Sequence, residues 1–162
     1  MRVHGATACD LEDVYRLRYR QFLHVTTAIT GDEDAGHDAV QEGFAAALRH
    51  RDAFRGDGPL EAWVWRAVIN AARKMHTSRG RSVALAESTT AANGGAPADE
   101  TGIRTWIAGL PERQRLAVFL RYYGDLDYRS IASALDVEVG TVSATLSAAH
   151  SALRKQLREV TR

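Results

Sequence analysis

The chain has 162 residues, with 21 Lys and Arg against 20 Asp and Glu, so its formal net charge is +1 at pH 7. A membrane-spanning helix needs about 18 consecutive apolar residues, but the longest apolar stretch, Ala62 to Ile69, is interrupted by Arg66. No signal-peptide core precedes Asp10, and a single cysteine excludes an internal disulfide. We therefore expect a cytoplasmic protein of one domain or two small ones, with no membrane insertion.

A segment of small residues divides the chain. Residues 80–101 contain 15 Ala, Gly, Ser, Thr or Pro out of 22 and no aromatic residue, which is typical of a flexible linker. A coil of this length has an end-to-end distance of roughly 26 Å. The alternative, a surface loop within one domain, is uncommon at this length. We predict a first domain over 8–79, a linker over 80–105 and a second domain over 106–160.

Three helices are predicted before the linker. Apolar and aromatic residues recur in steps of three and four along residues 11–29, which indicates one buried helical face. A second helix is predicted over about 35–50, and a third begins at Leu60, directly after Pro59, and ends near Ser78. The residues expected in the buried stripes are Tyr15, Tyr19, Phe22, Thr26 and Ile29 in the first helix and Val40, Phe44, Ala47 and Leu48 in the second.

The second domain is also predicted to be helical. A helix begins near Pro111, and Gly124 is expected to end it in a left-handed conformation. Asp127 is a suitable N-cap for a short helix, which is followed by a last helix from about Val139 to Arg158. No segment alternates with period two, so no strand is expected and the fold class is all-α.

The last two helices have the pattern of a helix-turn-helix. Ala132 is small where the second helix would cross, and Asp136 occupies the turn position that usually requires a left-handed residue. The following helix would lie in the major groove of DNA, but it has no Lys or Arg before Arg154, so we expect weak binding. A plain helical hairpin is the alternative. The candidate base contacts are Thr141, Ser143, Thr145 and Ser147, and the candidate backbone contacts are Arg129, Arg154 and Lys155.

The third helix carries a basic face, because residues 61–81 contain five basic residues and one acidic residue. Trp63 and Trp65 lie about 200° apart on a helix, so at least one indole is expected outside the core. Exposed aromatic rings beside basic groups suit stacking on unpaired bases, and an amide can read a flipped base. Two core tryptophans beside a solvated basic face are the alternative. The polar residues of this face are Arg66, Asn70, Arg73, Lys74, His76, Arg79 and Arg81.

The second helix carries a polar patch opposite its apolar stripe. Asp38, Gln41 and Glu42 are spaced at i, i+3 and i+4 and share one helical face. Such a patch is either a solvated helix face or a contact for a basic partner helix. The sequence leaves both interpretations open.

In this order and at these spacings, the features resemble a group IV, or extracytoplasmic-function (ECF), sigma factor of bacterial RNA polymerase. The resemblance covers about residues 10–158. The stretches that carry it are Ala35 to Phe44 for region 2.2, Leu60 to Asn70 for regions 2.3 to 2.4, and Leu110 to Arg115, Tyr128 to Ala132 and Gly140 to Val142 for region 4.

The resemblance implies a region 2 helical bundle and a region 4 helix-turn-helix joined by a flexible linker, in a protein that is not an enzyme and needs no cofactor or metal. The implied partners are the core polymerase, through its β′ clamp helices and β flap, and promoter DNA, with an anti-sigma factor as a further candidate. The implied site residues are Asp38, Gln41 and Glu42 for core binding, Trp63, Arg66, Asn70, Arg73, Lys74 and His76 for the −10 element, and Arg129, Thr141, Ser143, Ala144, Thr145, Ser147 and Arg154 for the −35 element.

Alternatives from other classes remain open. A sigma-like protein that binds polymerase or a regulator without reading DNA would suit the neutral reading helix, whereas a dimeric repressor would need a dimerisation helix that we do not find. Motifs of phosphate-binding loops, zinc proteases and serine hydrolases are absent from the sequence. Charges sum to zero over residues 1–79, −1 over 80–108 and +2 over 109–162. We therefore expect weak DNA binding by the chain alone, with affinity supplied by a large partner.

Overall fold

The computed structural model describes residues 5–86 and 98–162, and within these ranges the fold is all-α. None of the helices in these ranges could cross a bilayer. The elements are α1 (Ala8–Thr30), α2 (Glu33–Arg49), a 3₁₀ helix (Arg51–Ala53), α3 (Leu60–Ala86), α4 (Ala98–Ala108), α5 (Glu112–Tyr122), α6 (Tyr128–Leu135) and α7 (Val139–Val160).

Helices α1, α2 and α3 form a bundle around an aromatic core. The Phe22 ring lies 4.2 Å from the Trp65 ring, centroid to centroid, and meets Phe44 edge-on at 5.1 Å. Phe22 and Thr26 of the predicted α1 stripe are fully buried. The prediction for Leu48 was wrong, since its side chain is 43% exposed. The buried face of α2 is centred near Ala47, and Leu48 lies about 100° away on the helix.

Gly43 sets the distance between α2 and α3. A Cβ atom at this position would lie 2.5 Å from Val68 Cα, which is closer than real Cβ contacts allow. The two backbones therefore cross where only glycine fits. This close crossing positions the exposed faces of both helices beside each other.

The helices on both sides of the predicted linker are longer than expected. Helix α3 continues to Ala86 rather than ending near Ser78, and α4 begins at Ala98. A single glycine, Gly80, costs a helix only about 1 kcal/mol relative to alanine, and no proline follows it before Ala86. Helical structure therefore extends into both ends of the predicted linker, over 80–86 and 98–105, and the centre of the linker, 87–97, lies outside the described residues.

Helices α5, α6 and α7 form the second bundle, whose core includes Leu120, Ile131 and Leu146. Asp127 caps α6 as predicted, because its Oδ1 accepts the Ser130 backbone N–H at 2.7 Å. The apolar residues on both sides of this cap, Leu126 and Ile131, are buried, as expected for a hydrophobic staple.

The turn between α6 and α7 is a left-handed helix cap. Asp136 has φ 56°, as predicted for this position. The Val137 N–H donates to Ala132 O at 2.9 Å and the Asp136 N–H donates to Ser133 O at 3.4 Å. This pair of bonds is the Schellman pattern, which satisfies carbonyl groups at a helix C-terminus.

The predicted role of Gly124 was wrong. Its φ is not positive, and the left-handed residue after α5 is Asp125, with φ 53°. Glycine is required at 124 for close approach instead, since a Cβ would lie 2.6 Å from Leu126 Cδ1 and 2.8 Å from Leu120 O.

The two bundles contact each other, chiefly through α3 and α6.

Candidate nucleic-acid interface

An open groove of about 620 Å³ lies between α2 and α3. Its walls combine small apolar residues of both helices with polar groups at the rim. Four of the six residues predicted for the −10 element line it, and so does one residue of the predicted core-binding patch. These residues are Trp63, Arg66, Asn70 and Lys74 from α3 and Glu42 from α2.

The two tryptophans of α3 separate as the helical spacing predicts. Trp65 is fully buried and packs on Phe22. Trp63 is half-buried on the groove wall, with its ring 5.7 Å from the Phe54 ring. One indole thus stabilises the core and the other presents part of its ring to the groove.

Asn70 and Lys74 lie one helical turn apart on the groove, and both are exposed. Neither side chain has a hydrogen-bond or ion-pair partner among the described residues. An amide can donate to and accept from a base edge, and an ammonium group can neutralise a phosphate. The pair therefore offers both kinds of contact at neighbouring positions.

Arg66 is engaged with the second domain. Its Nε and one terminal nitrogen donate to Ser133 O at 3.2 and 2.8 Å, and the same terminal nitrogen lies 3.2 Å from Asp136 Oδ1. The guanidinium group therefore binds the C-terminal end of α6, where the helix dipole favours a cation and Ser133 O accepts from Arg66 as well as from the Asp136 N–H.

Arg73 is engaged with the second domain in a similar way. Its Nε and a terminal nitrogen donate to the two carboxylate oxygens of Glu112 at 2.7 and 3.2 Å. The hydrogen bond from Arg73 lowers the pKa of Glu112, and the positive charges of Arg73, Arg115 and His76 lower it further, against a smaller opposing effect of burial. The exposed His76 thus lies on the side of α3 that faces Glu112 rather than among the groove-lining residues.

The polar patch of α2 adjoins the groove. Asp38, Gln41 and Glu42 are all exposed, and Glu42 forms an ion pair with Arg49 at 3.2 Å. The other two side chains have no such partner among the described residues. The patch and the groove form one continuous surface because Glu42 belongs to both.

Helix α7 turns its hydroxyl groups outward. Val142, Leu146 and Ala149 are buried at i, i+4 and i+7, so the residues between them face solvent. Within the described ranges, this outward surface carries no basic side chain between the start of α7 and Arg154. Ser143, Ala144, Ser147 and Arg154 are exposed, Thr141 and Thr145 are partly exposed, and Arg129 is exposed on α6.

Several residues of the site were missed by sequence reasoning. His50 and Met75 line the groove, and His50, the C-cap residue of α2, follows Glu42 by eight positions, a helical spacing that is visible in the sequence. Met75 looks like an ordinary core residue from sequence alone. Glu112 and Ser133 contact α3 across 39 and 67 residues of chain, and no local pattern indicates such contacts.

Family profiles and relatives agree with this two-domain arrangement of helices. A profile described as Sigma-70 region 2 matches residues 14–82, and one described as Sigma-70, region 4 matches residues 102–153. The ECF RNA polymerase sigma-E factor of Escherichia coli (strain K12) is 31% identical over 144 residues, which cover 77% of this chain and 75% of the relative. The chain belongs to the ECF group of the sigma-70 family.

Other similar proteins support the same assignment. The RNA polymerase sigma-H factor of Pseudomonas aeruginosa is 30% identical over 169 aligned positions, covering 93% of this chain and 88% of the relative. The sigma factor RpoE of Bartonella quintana, solved with the anti-sigma factor NepR, has a TM-score of 0.71 at 21% identity and covers 92% of this chain and 97% of its own. CnrH, solved with the cytosolic domain of CnrY, has a TM-score of 0.70 at 18% identity, with 95% and 91% covered. The protein is thus an RNA polymerase sigma factor with the fold of these structures, and this family is not a class of enzymes.

Proposed function

We propose that this sigma factor binds core RNA polymerase and directs it to promoters by recognising a −10 and a −35 element. The observation that carries the proposal is the groove between α2 and α3. It places a partly exposed indole, a free amide and a free ammonium group beside the polar patch of α2. These groups are Trp63, Asn70 and Lys74, next to Glu42.

The groove suits unpaired DNA better than duplex DNA. The exposed part of Trp63 can stack on a base, which is sequence-tolerant and typical of single-strand binding. Asn70 can hydrogen-bond the edge of a base that has left the stack, while Lys74 contacts a phosphate. Recognition of the −10 element would therefore follow strand separation.

The polar patch of α2 is the proposed contact for core polymerase. Exposed carboxylates at Asp38 and Glu42, with the amide of Gln41 between them, suit a basic partner helix such as a β′ clamp helix. Electrostatic complementarity of this kind accelerates association and fixes orientation. The second domain would contact the β flap.

Helix α7 is the proposed reader of the −35 element. Thr141, Ser143, Thr145 and Ser147 would contact bases, and Arg129 and Arg154 would contact phosphates. The lack of cations along the reader predicts weak binding by this domain alone. Tethering to polymerase raises the effective concentration of the domain at the promoter and compensates for this weakness.

The neutral face of α7 also favours a second candidate function. A sigma-like protein that binds polymerase or an anti-sigma factor without reading DNA would need no cations on this helix. The similar structures of RpoE and CnrH were solved with NepR and CnrY, so an anti-sigma factor is a reasonable candidate partner here.

Run-off transcription separates the two candidates. Purified full-length protein and core polymerase are incubated with a promoter library from the source genome, and transcripts are sequenced. We expect a small set of transcripts that start downstream of a shared pair of motifs and that core polymerase alone does not make. High-affinity core binding without any promoter-specific transcript would refute promoter recognition and support the second candidate.

A further inference from the structure

We propose that Arg66 and Arg73 form a latch that holds the free protein closed. Both side chains belong to the surface assigned to the −10 element, so the inference depends on the proposed function. In the structure their guanidinium groups bind the second domain instead. The sigma factor would therefore have to release them before it engages DNA fully.

The Arg66 contact is built around the turn of the helix-turn-helix. Ser133 O already belongs to the Schellman pattern at the end of α6, and Arg66 donates two hydrogen bonds to it. Asp136, held in the left-handed conformation by the same turn, adds a carboxylate at 3.2 Å. One arginine thus binds a carbonyl, a helix C-terminus and an anionic side chain together.

The Arg73 contact is a two-point pairing. Two nitrogens of Arg73 meet two oxygens of Glu112, the fork geometry that arginine also uses for phosphate. Glu112 is the first residue of α5, where a carboxylate also interacts favourably with the helix dipole. The site on Glu112 therefore mimics the anion that DNA would supply.

These contacts divide the basic face of α3 into two parts. Asn70 and Lys74 remain free at the groove, whereas Arg66 and Arg73 are occupied. Both occupied side chains are nearly half exposed, and exposed ion pairs contribute little individually. A polyanion that first binds Lys74 can therefore displace them, so the latch weakens DNA binding by the free chain without preventing opening.

A disulfide can hold the latch closed. A Cβ atom at Gly58 would lie 4.0 Å from Ser133 Oγ, and the φ of Gly58 is not positive. The variant Gly58→Cys/Ser133→Cys, with Cys9→Ser to remove the native thiol, therefore places two thiols across the contact between the domains, and titration of free thiols before and after oxidation shows whether the bond has formed.

The test compares the oxidised and reduced forms of this variant. Binding of the full chain to a fluorescent single-stranded DNA of mixed sequence is measured by anisotropy at low salt. We expect the oxidised form to bind at least tenfold more weakly, and reduction to restore the wild-type affinity. Equal affinities of the two forms, or no binding by either, would overturn the latch.

An opening variant tests the same proposal in the other direction. Glu112→Gln/Asp136→Asn removes both carboxylates, and asparagine tolerates the left-handed backbone at 136. The control Glu138→Gln/Glu159→Gln makes the same charge change at exposed positions of the second domain. We expect the opening variant to have a larger radius of gyration by X-ray scattering and severalfold tighter single-strand binding than the control. Identical radii and affinities would contradict the latch.

Run-off transcription with the reduced disulfide variant distinguishes failure of the latch from failure of promoter recognition. If the latch is wrong, promoter-specific transcripts persist and oxidation leaves single-strand affinity unchanged. If promoter recognition is wrong, no promoter-specific transcript forms, whereas oxidation still weakens single-strand binding.

Discussion

The two candidate DNA-binding surfaces differ in charge and in accessibility. The face of α3 is rich in basic side chains, but Arg66 and Arg73 are bound to the second domain. The outward face of α7 is accessible but presents hydroxyl and methyl groups. The free chain should therefore bind DNA weakly for two different reasons, one in each domain. Core polymerase would relieve both, because it can separate the domains and hold α7 on the duplex.

The surfaces also differ in how they are supported. The groove depends on the backbone crossing of α2 and α3 at Gly43, whereas α7 is oriented by the capped turn at Asp136. A defect in helix packing should therefore damage the first surface and leave the second intact.

Gly43→Ala should cause the largest effect. Its Cβ would overlap Val68 Cα, and because both atoms belong to packed helices, we expect the free energy of unfolding of the first domain to fall by about 3 kcal/mol. Urea denaturation followed by far-ultraviolet circular dichroism measures the loss. Gly80→Ala is the matched control, since nothing lies within 4 Å of its Cβ, and it should be neutral or stabilise α3 by up to about 1 kcal/mol. Equal effects of the two substitutions would contradict the close crossing.

Asn70→Ala should weaken discrimination at one position of the −10 element by about 1–2 kcal/mol while leaving core binding unchanged. The reason is that the amide is exposed and bonds to nothing among the described residues. Competition assays with holoenzyme and single-base variants of the −10 strand measure the preference. Thr77→Ala on the same helix, whose hydroxyl donates to Arg73 O within that helix, is the control. Parallel loss of core binding would indicate a folding role for Asn70 instead.

Local patterns in the sequence were sufficient for much of the fold. Apolar spacing predicted the buried face of α1, and the chemistry of Asp127 and Asp136 predicted the cap and the turn of the second domain. These features depend on residues a few positions apart. Gly124 shows the limit of such local patterns. A glycine is needed there because of close contacts with Leu120 and Leu126, and not because the backbone is left-handed.

The residues of the candidate site were predictable from the sequence, but the contacts that some of them make with the second domain were not. Helical spacing placed Asn70 and Lys74 on one face, and the angle between Trp63 and Trp65 predicted that one ring leaves the core. The pairing of Arg73 with Glu112 was not predictable, because it depends on how two domains meet. A flexible linker over 80–105 suggested separate bodies, whereas the described helices bring α3 against α6.

Lys74→Ala should change the salt dependence of DNA binding more than it changes the affinity measured at a single salt concentration. Loss of one phosphate contact to single-stranded DNA reduces the slope of log K against log salt by about 0.7. Ser143→Ala on α7 removes a hydroxyl and no charge, so its slope on −35 duplex DNA should equal that of wild type. Titrations of holoenzyme between 50 and about 200 mM salt give both slopes. Equal slopes for Lys74→Ala and wild type would show that Lys74 makes no phosphate contact.

Lowering the pH should open the latch. We expect this effect to be the smallest of those predicted. The pKa of Glu112 is lowered by its hydrogen bond from Arg73 and by the charges of Arg73, Arg115 and His76. A lowered pKa means that the closed form binds the proton more weakly than the open form, so this contribution to closure is complete above the ordinary glutamate value of about 4.3 and is lost as pH falls through the lowered pKa.

Energy transfer between a dye on Cys9 and one on a cysteine at exposed Ser151 measures this opening. In wild type the efficiency of energy transfer should fall as the pH falls below about 4. In Glu112→Gln the efficiency should already be lower at neutral pH, and the part of the fall that is due to protonation of Glu112 should be missing. Carboxylates at helix N-caps, such as Asp127, also have lowered pKa values. They titrate in both proteins and therefore cancel in the comparison. Identical profiles for the two proteins would show that the pairing of Arg73 with Glu112 does not hold the domains together, and the Arg66 contact would then be tested by itself.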